Sequence, residues 1–228
     1  MRKTSRMSSS TWVIALCLLF GTIGLRYIDP PIISGARSAV YDAYQRIAPR
    51  LYEPAPVRVV DIDDESLAEF GQWPWPRTLV AQLVDKLNEL GAASIVFDMV
   101  FAEPDRMSPQ NYFSELSIND TELENLISEL PDNDQVLAMS IANAPVVLGI
   151  GGSPIPPVRA PLLKTGFAHG GSNPINLVSD IGNAIVNLEI LERAATGQGS
   201  LAIGSVQGGL VRRIPLLQRF GDQLFPTL

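Results

Sequence analysis

VRVVDIDDESLAEFGQWPWPRTLVAQLVDKLNELGAASIVFDMVFAEPD, residues 57 to 105, carries the pattern on which the fold turns. Val57, Val59, Val60 and Ile62 form a short β-branched run suited to a buried strand, closed by Asp61, Asp63, Asp64 and Glu65. Asp63 or Asp64 can cap a short helix over residues 66–70, and Gly71 stops it. After Trp73, Pro74 and Trp75, Pro76 suits the first turn of a helix running to Leu90, because the N–H that proline lacks has no intrahelical partner there. Leu79, Val80, Leu83, Val84, Leu87 and Leu90 make one apolar face of that helix, and Gly91 follows as its cap. Residues 94–97 (Ser-Ile-Val-Phe) read as a second buried strand ending at Asp98. Strand, helix and strand with short connections predict a βαβ unit with parallel strands and a right-handed crossover.

Upstream, residues 28–56 begin with Asp29-Pro30-Pro31 and end with Pro49, Pro54 and Pro56. Between them Ala39, Val40, Ala43, Tyr44 and Ile47 recur at helical spacing, which predicts a stalk helix packed on the domain. Further upstream, nineteen residues from Met7 to Leu25 carry no charge. As a helix they span about 28 Å at about 1.5 Å per residue, close to a hydrocarbon core of about 30 Å. Arg2, Lys3 and Arg6 precede the run, and the positive-inside tendency puts the N-terminus in the cytoplasm. A cleaved secretory signal shares that basic start, but no small-x-small site follows, and Arg26 and Tyr27 fit an interfacial border.

Downstream, residues 103–134 are polar and acidic, with a helix expected over 119–130: Leu123, Leu126, Ile127 and Leu130 share a face, and Asn119 with Glu122 fits a capping box. Residues 135–140 and 145–150 read as two further strands, and residues 151–175, rich in Gly, Pro and Ser, as loop. Residues 201–206 and 210–220 around Gln207-Gly208-Gly209 read as a β-hairpin, with another turn at Gly221-Asp222.

The net charge of −7 conceals an asymmetry. Residues 1–50 hold seven basic side chains against two acidic ones, a net +5 that leaves −12 for the rest. A nucleic-acid partner is excluded on that ground, because phosphate binding needs clustered positive charge on the folded part. One cysteine, Cys17, and one histidine, His169, rule out a disulfide framework and a multi-histidine metal site. Gly149, Gly151 and Gly152 do not form a dinucleotide loop, and no cofactor is expected.

Two constellations offer chemistry. If the two strands of the unit are parallel, Asp61, Asp63 and Asp98 meet at one carboxyl edge, where open α/β sheets bind ligands. Hard oxygen ligands there suit magnesium or calcium; the plainer reading is that these aspartates end strands and cap helices. Trp73, Trp75 and Arg77 can line an aromatic and cationic pocket for a carboxylate ligand, or the tryptophans can simply cover the core where the helix begins.

The segment 57–105 closely resembles the start of the second type of CHASE domain, the extracytoplasmic sensory module attached to cyclases and histidine kinases. The shared features stand here as Asp61-Ile62-Asp63, Trp73-Pro74-Trp75-Pro76-Arg77, and Phe97-Asp98 followed by Phe101 and Glu103-Pro104. Tyr41-Asp42 and Arg46 resemble the family's stalk, Asn119-Asp120 with Leu123 its next helix, and Leu210-Val211-Arg212-Arg213-Ile214-Pro215-Leu216 its late strand. The late strand departs from the family, with Gln207-Gly208-Gly209 where Asp-Gly is common, and residues 160–200 align with nothing.

Together these readings predict an α/β fold: an N-terminal transmembrane helix, then one extracytoplasmic domain with a mainly parallel or mixed sheet, flanking helices and a C-terminal β-hairpin. The boundaries expected are a cytoplasmic N-terminus over 1–7, a transmembrane helix over 8–26, a helical stalk over 27–56 and a sensory domain over 57–228, truncated at its C-terminus. The resemblance implies an input domain in the inner membrane, with residues after about 26 extracytoplasmic. It relays an envelope or small-molecule stimulus to a cytoplasmic cyclase, diguanylate cyclase or kinase absent from this chain, which is itself no enzyme. The membrane is an expected partner, and a homodimer through stalk and membrane helix is a candidate assembly. Ligand-binding candidates are Asp61, Asp63, Trp73, Trp75, Arg77 and Asp98. The rival reading is an anchored or secreted metal-dependent hydrolase using Asp61, Asp63 and Asp98.

Overall fold

The apolar run near the N-terminus forms helix α1 (Ser9–Ile28), and the stalk segment forms helix α2 (Pro31–Ile47), started by Pro31 in its first turn. The computed structural model describes residues 9–51, 53–115, 121–155, 159–202, 211 and 214–228. Asp29, in the left-handed region at φ 45°, and Pro30 separate the two helices, whose axes meet at 83°. Among the described residues no single helix is both long and apolar enough to cross a membrane, whereas the bent pair Trp12–Ile28 and Pro31–Ile47 is so jointly. The stretch from Trp12 to Leu25 rises only about 21 Å at about 1.5 Å per residue, and the expected longer span begins at Met7, outside the described residues. The chain divides into two units, Met1–Asp61 and Ile62–Leu228.

The first expected strand does not form. Residues 57–62 pair with nothing as a strand, and Val57, Val59 and Val60 are exposed. β-branched residues favour extended backbone, but a strand also needs a partner for its N–H and C=O groups. The second unit opens instead with α3 (Asp64–Phe70), capped by Asp63 and stopped by Gly71 at φ 91°, as its sequence predicts. Helix α4 (Arg77–Glu89) follows, burying Val80, Ala81 and Val84, and its expected face stops short of Leu90, which is exposed. Strand β1 (Ile95–Val96) is shorter than expected.

Helices α5 (Pro109–Glu115) and α6 (Thr121–Ser128) lie in the acidic excursion, and the Asn119 part of the capping box falls outside the described residues. The expected strand over 135–140 is corrected to a helix, α7 (Asn133–Ala142). Asp132 caps it, accepting from the N–H of Asp134 at 2.7 Å and of Gln135 at 3.2 Å. Leu137, Ala138 and Ile141 turn inward at helical spacing. Strand β2 (Val146–Ser153) confirms the next expected strand and takes in the first residues of the expected loop.

A 3₁₀ turn at Pro174–Leu177, strand β3 (Asn183–Ile185), helix α8 (Glu189–Ala194) and strand β4 (Gly197–Ser200) build the region for which the sequence offered no alignment. Strand β2 is central: β1 runs parallel to its start (Ile95 opposite Val146), β4 parallel to its middle (Val147 opposite Gly197), and β3 antiparallel to its end (Gly152 opposite Ala184). The βαβ unit therefore exists one element later than expected, as β1–α7–β2. The mixed sheet itself agrees with the expectation. Strands β5 (Leu217–Phe220) and β6 (Gln223–Pro226) form a C-terminal hairpin around Gly221-Asp222, where a turn was expected; the expected turn at Gln207-Gly208-Gly209 lies outside the described residues.

One core joins α4, α7 and α8 to the sheet through Val84, Leu137, Ile141, Val146, Leu148 and Leu191. A smaller one gathers Ile150, Ala184, Phe220 and Phe225. Fully buried Glu192 accepts from Arg159 at 2.5 Å and from the N–H of Leu162 at 3.3 Å, which ties that loop to α8. Gly199 lets the chain end pass close to β4: a Cβ there lies 3.1 Å from the backbone N of Leu228, whose N–H donates to the carbonyl of Ser200. Gly199→Ala is therefore expected to cost about 1–3 kcal/mol by overpacking. Gly197→Ala, whose Cβ meets only side-chain atoms of Val147 at 3.6 Å and beyond, should cost less than about 1 kcal/mol; thermal unfolding of the two variants checks the contrast.

Candidate functional site

Proline-rich backbone between α3 and α4 turns Trp73 and Arg77 toward the segment that follows β1. The Trp73–Pro74 peptide is cis. A cavity of about 300 Å³ opens here, lined by Trp73, Pro74, Arg77, Met99, Phe101 and Glu103, among others. Trp73 remains 39% exposed, and this leaves its ring accessible to a ligand. Trp75 is buried: its indole N–H donates to the carbonyl of Gly71 at 2.8 Å, and its ring meets Phe70 and Trp73 edge-on with centroids 5.6 and 5.7 Å away. It supports the wall while Trp73 faces the cavity.

Arg77 is the cationic member of the lining, Glu103 the anionic one, and Arg77 is held on several sides. Its Nε lies 3.3 Å from Asp134 Oδ1, its Nη2 donates to the carbonyl of Glu103 at 3.2 Å, and its guanidinium carbon sits 4.6 Å from the Phe101 ring centroid. Its backbone N–H donates to Asp105 Oδ2 at 2.8 Å. Asp105 also accepts from Asn133 Nδ2 at 2.8 Å and from the N–H of Met107 at 3.0 Å, while its own N–H donates to Asp134 Oδ2 at 2.9 Å. Asn133 donates its N–H to the fully buried Ser108 hydroxyl.

This buried network ties three separate stretches together: the start of α4, residues 103–108 and the start of α7. Burial pushes the Asp134 carboxyl above its ordinary 3.8, against the N–H of Asp105 and the charge of Arg77, which both favour the ionised form.

Asp105, Asn133 and Asp134 were not singled out in the sequence. Their signal was faint: a Glu103-Pro104-Asp105 turn, and an acidic pair around Asn133 that reads as solvated surface unless the fold is known.

The aspartates predicted for a carboxyl edge have other surroundings. Asp61 stands in unpaired, exposed backbone, and Asp98 is exposed after β1. Asp63 serves α3, accepting from the Ser66 hydroxyl at 2.7 Å and from the Ser66 N–H at 2.9 Å. Because residues 57–62 are not a strand, the parallel pair that was to gather the three carboxylates is missing. Among the described residues no group of three or more His, Cys, Asp or Glu side chains is arranged to hold a metal ion.

The two bonds from Ser66, its hydroxyl first, hold the Asp63 carboxyl below its ordinary 3.8. A lowered folded value means that the native state binds fewer protons, so the cap's contribution is present above about pH 4 and lost as pH falls through the folded value. Asp63→Ala should destabilise α3 at neutral pH, and the difference from the parent should shrink below about pH 4; amide exchange in α3 as a function of pH measures it.

The cavity presents an indole face, an apolar wall from Met99 and Phe101, the Arg77 guanidinium already paired with Asp134, and the carboxylate of Glu103. The family model described as the CHASE2 domain matches residues 13–228. No curated protein and no solved structure matches the chain.

Proposed function

The chain belongs to the CHASE2 domain family, and from that premise we propose that it is the extracytoplasmic input domain of a membrane-bound signalling protein. CHASE2 is a sensory domain family of signalling proteins. The match over residues 13–228, almost the whole chain, carries the reading. In it, residues 8–26 cross the inner membrane, residues 1–7 stay in the cytoplasm, and residues after about 26 face the envelope. The stimulus is relayed to a cytoplasmic cyclase, diguanylate cyclase or kinase, and the chain has no catalysis of its own. The exposed apolar surface of α1 supports the anchor.

The Trp73–Arg77 cavity is the input site in this proposal. Asp61, Asp63 and Asp98 have no part in it, and Trp75 acts through Trp73. A ligand that stacks on Trp73 and touches Arg77 reaches the network that joins α4, residues 103–108 and α7, so it favours one packing of those elements over another. Signalling asks only for differential affinity between the two packings, typically about 1–3 kcal/mol of coupling. The test is a chimera in which residues 1–228 drive a reporter cyclase through the chain's own membrane segment. Output is expected to change with envelope conditions, and Trp73→Ala is expected to blunt the change. Output that is the same in every condition, with or without residues 62–228, would overturn the reading.

A further inference from the structure

Helix α2 buries no residue of its own, yet its apolar side chains are sorted to one side. At about 100° per residue, Ile32, Ile33, Ala36, Ala39, Val40, Ala43 and Ile47 fall in one uninterrupted arc of about 120°. Arg46 borders the arc on one side, and Tyr44 followed by Arg37 on the other; Ser34, Ser38, Asp42 and Gln45 occupy the opposite face. Ile32 and Ile47 are 85% and 80% exposed. A sorted apolar face of this size left in water is costly, and it marks a surface that something covers.

The bend between the helices identifies the cover. Helix α2 leaves the apolar helix α1 after only Asp29 and Pro30, at 83°. An ion pair between Arg37 and Asp29, eight residues apart, braces the corner. With α1 along the bilayer normal, α2 runs nearly in the plane of the membrane, within the interfacial layer. We propose that α2 lies flat on the outer leaflet with its Ile33–Val40–Ile47 face in the acyl boundary, and is a lipid-bound helix rather than an upright stalk.

Border arginines suit that position, because their stems lie along apolar surface while the guanidinium reaches the headgroups. Tyr27 at the end of α1 and Tyr44 at the edge of the arc fall at the level where amphipathic rings collect. A stimulus is then transmitted by how firmly α2 lies on lipid, and bilayer composition becomes an input in its own right.

This inference rests on α1 being the membrane anchor, and the experiment separates the two. The full chain with Cys17→Ser is reconstituted in vesicles of phosphatidylethanolamine and phosphatidylglycerol. Single spin-labelled cysteines are placed by Leu19→Cys, Ser38→Cys, Val40→Cys, Gln45→Cys and Ile47→Cys. Collision with oxygen is compared with collision with a water-soluble nickel chelate. Labels at 40 and 47 are expected to favour oxygen, at a shallower depth than the label at 19, and those at 38 and 45 to favour nickel.

Nickel preference at 40 and 47 with the label at 19 in lipid overturns the flat helix and leaves the anchor standing. Nickel preference at 19 as well overturns both. Oxygen preference at all five positions makes α2 part of a span. Strong spin–spin coupling at 40 with low access to both reagents makes a second copy the cover. Either of these last two results also overturns the proposal.

Discussion

Arg77→Met is expected to destabilise the folded domain by about 3–5 kcal/mol, because it strands the Asp134 carboxylate in a buried site. Both partners are largely enclosed, with side chains 11% and 8% exposed. Without the guanidinium, Asp134 keeps the N–H of Asp105 but loses its opposing charge, so its already raised pKa rises further. A carboxyl with a raised folded value contributes most below its unfolded value of 3.8, and that contribution is lost as pH rises through the folded value. The deficit of the variant should therefore be largest at neutral pH and shrink on acidification. The double variant Arg77→Met/Asp134→Asn removes the stranded charge while keeping an acceptor for Asp105, and should recover most of the loss. Thermal unfolding of the chain between pH 4 and pH 8 measures both effects; a deficit that does not vary with pH, or no recovery in the double variant, would contradict the account.

The second large effect separates the helix observed at residues 133–142 from the strand its sequence suggests. Leu137 is fully buried in the main core, whereas Met139 is 59% exposed. On a strand the two share a face; on a helix they are 200° apart. Leu137→Ala is expected to cost about 2–5 kcal/mol, the transfer free energy of the lost side chain plus the cavity it leaves. Met139→Ala is expected to change stability by less than about 0.5 kcal/mol, as surface substitutions do. Equal costs at the two positions, read from denaturant midpoints at constant slope, would contradict the helix.

The candidate site was half legible in the sequence. Trp73 and Arg77 stood out because a Trp-Pro-Trp-Pro-Arg cluster restricts the backbone wherever it occurs, and both residues do meet at the cavity. Trp75 was singled out with them, but burial and its bond to Gly71 give it a supporting role. Asp105, Asn133 and Ser108 were invisible because each has an ordinary polar identity. Their importance comes from being buried together, across separations of up to 28 residues.

Local chemistry in the chain was enough to place a cap at Asp63 or Asp64, the Gly71 stop and the start of α4 behind Pro76, since each depends on contacts within a few residues. Helix or strand at 133–142, the failure of residues 57–62 to pair, and the identity of the aspartates that hold Arg77 were decided by tertiary structure. A strand needs a neighbour and a buried charge needs a partner, and both come from parts of the chain that spacing alone cannot bring together.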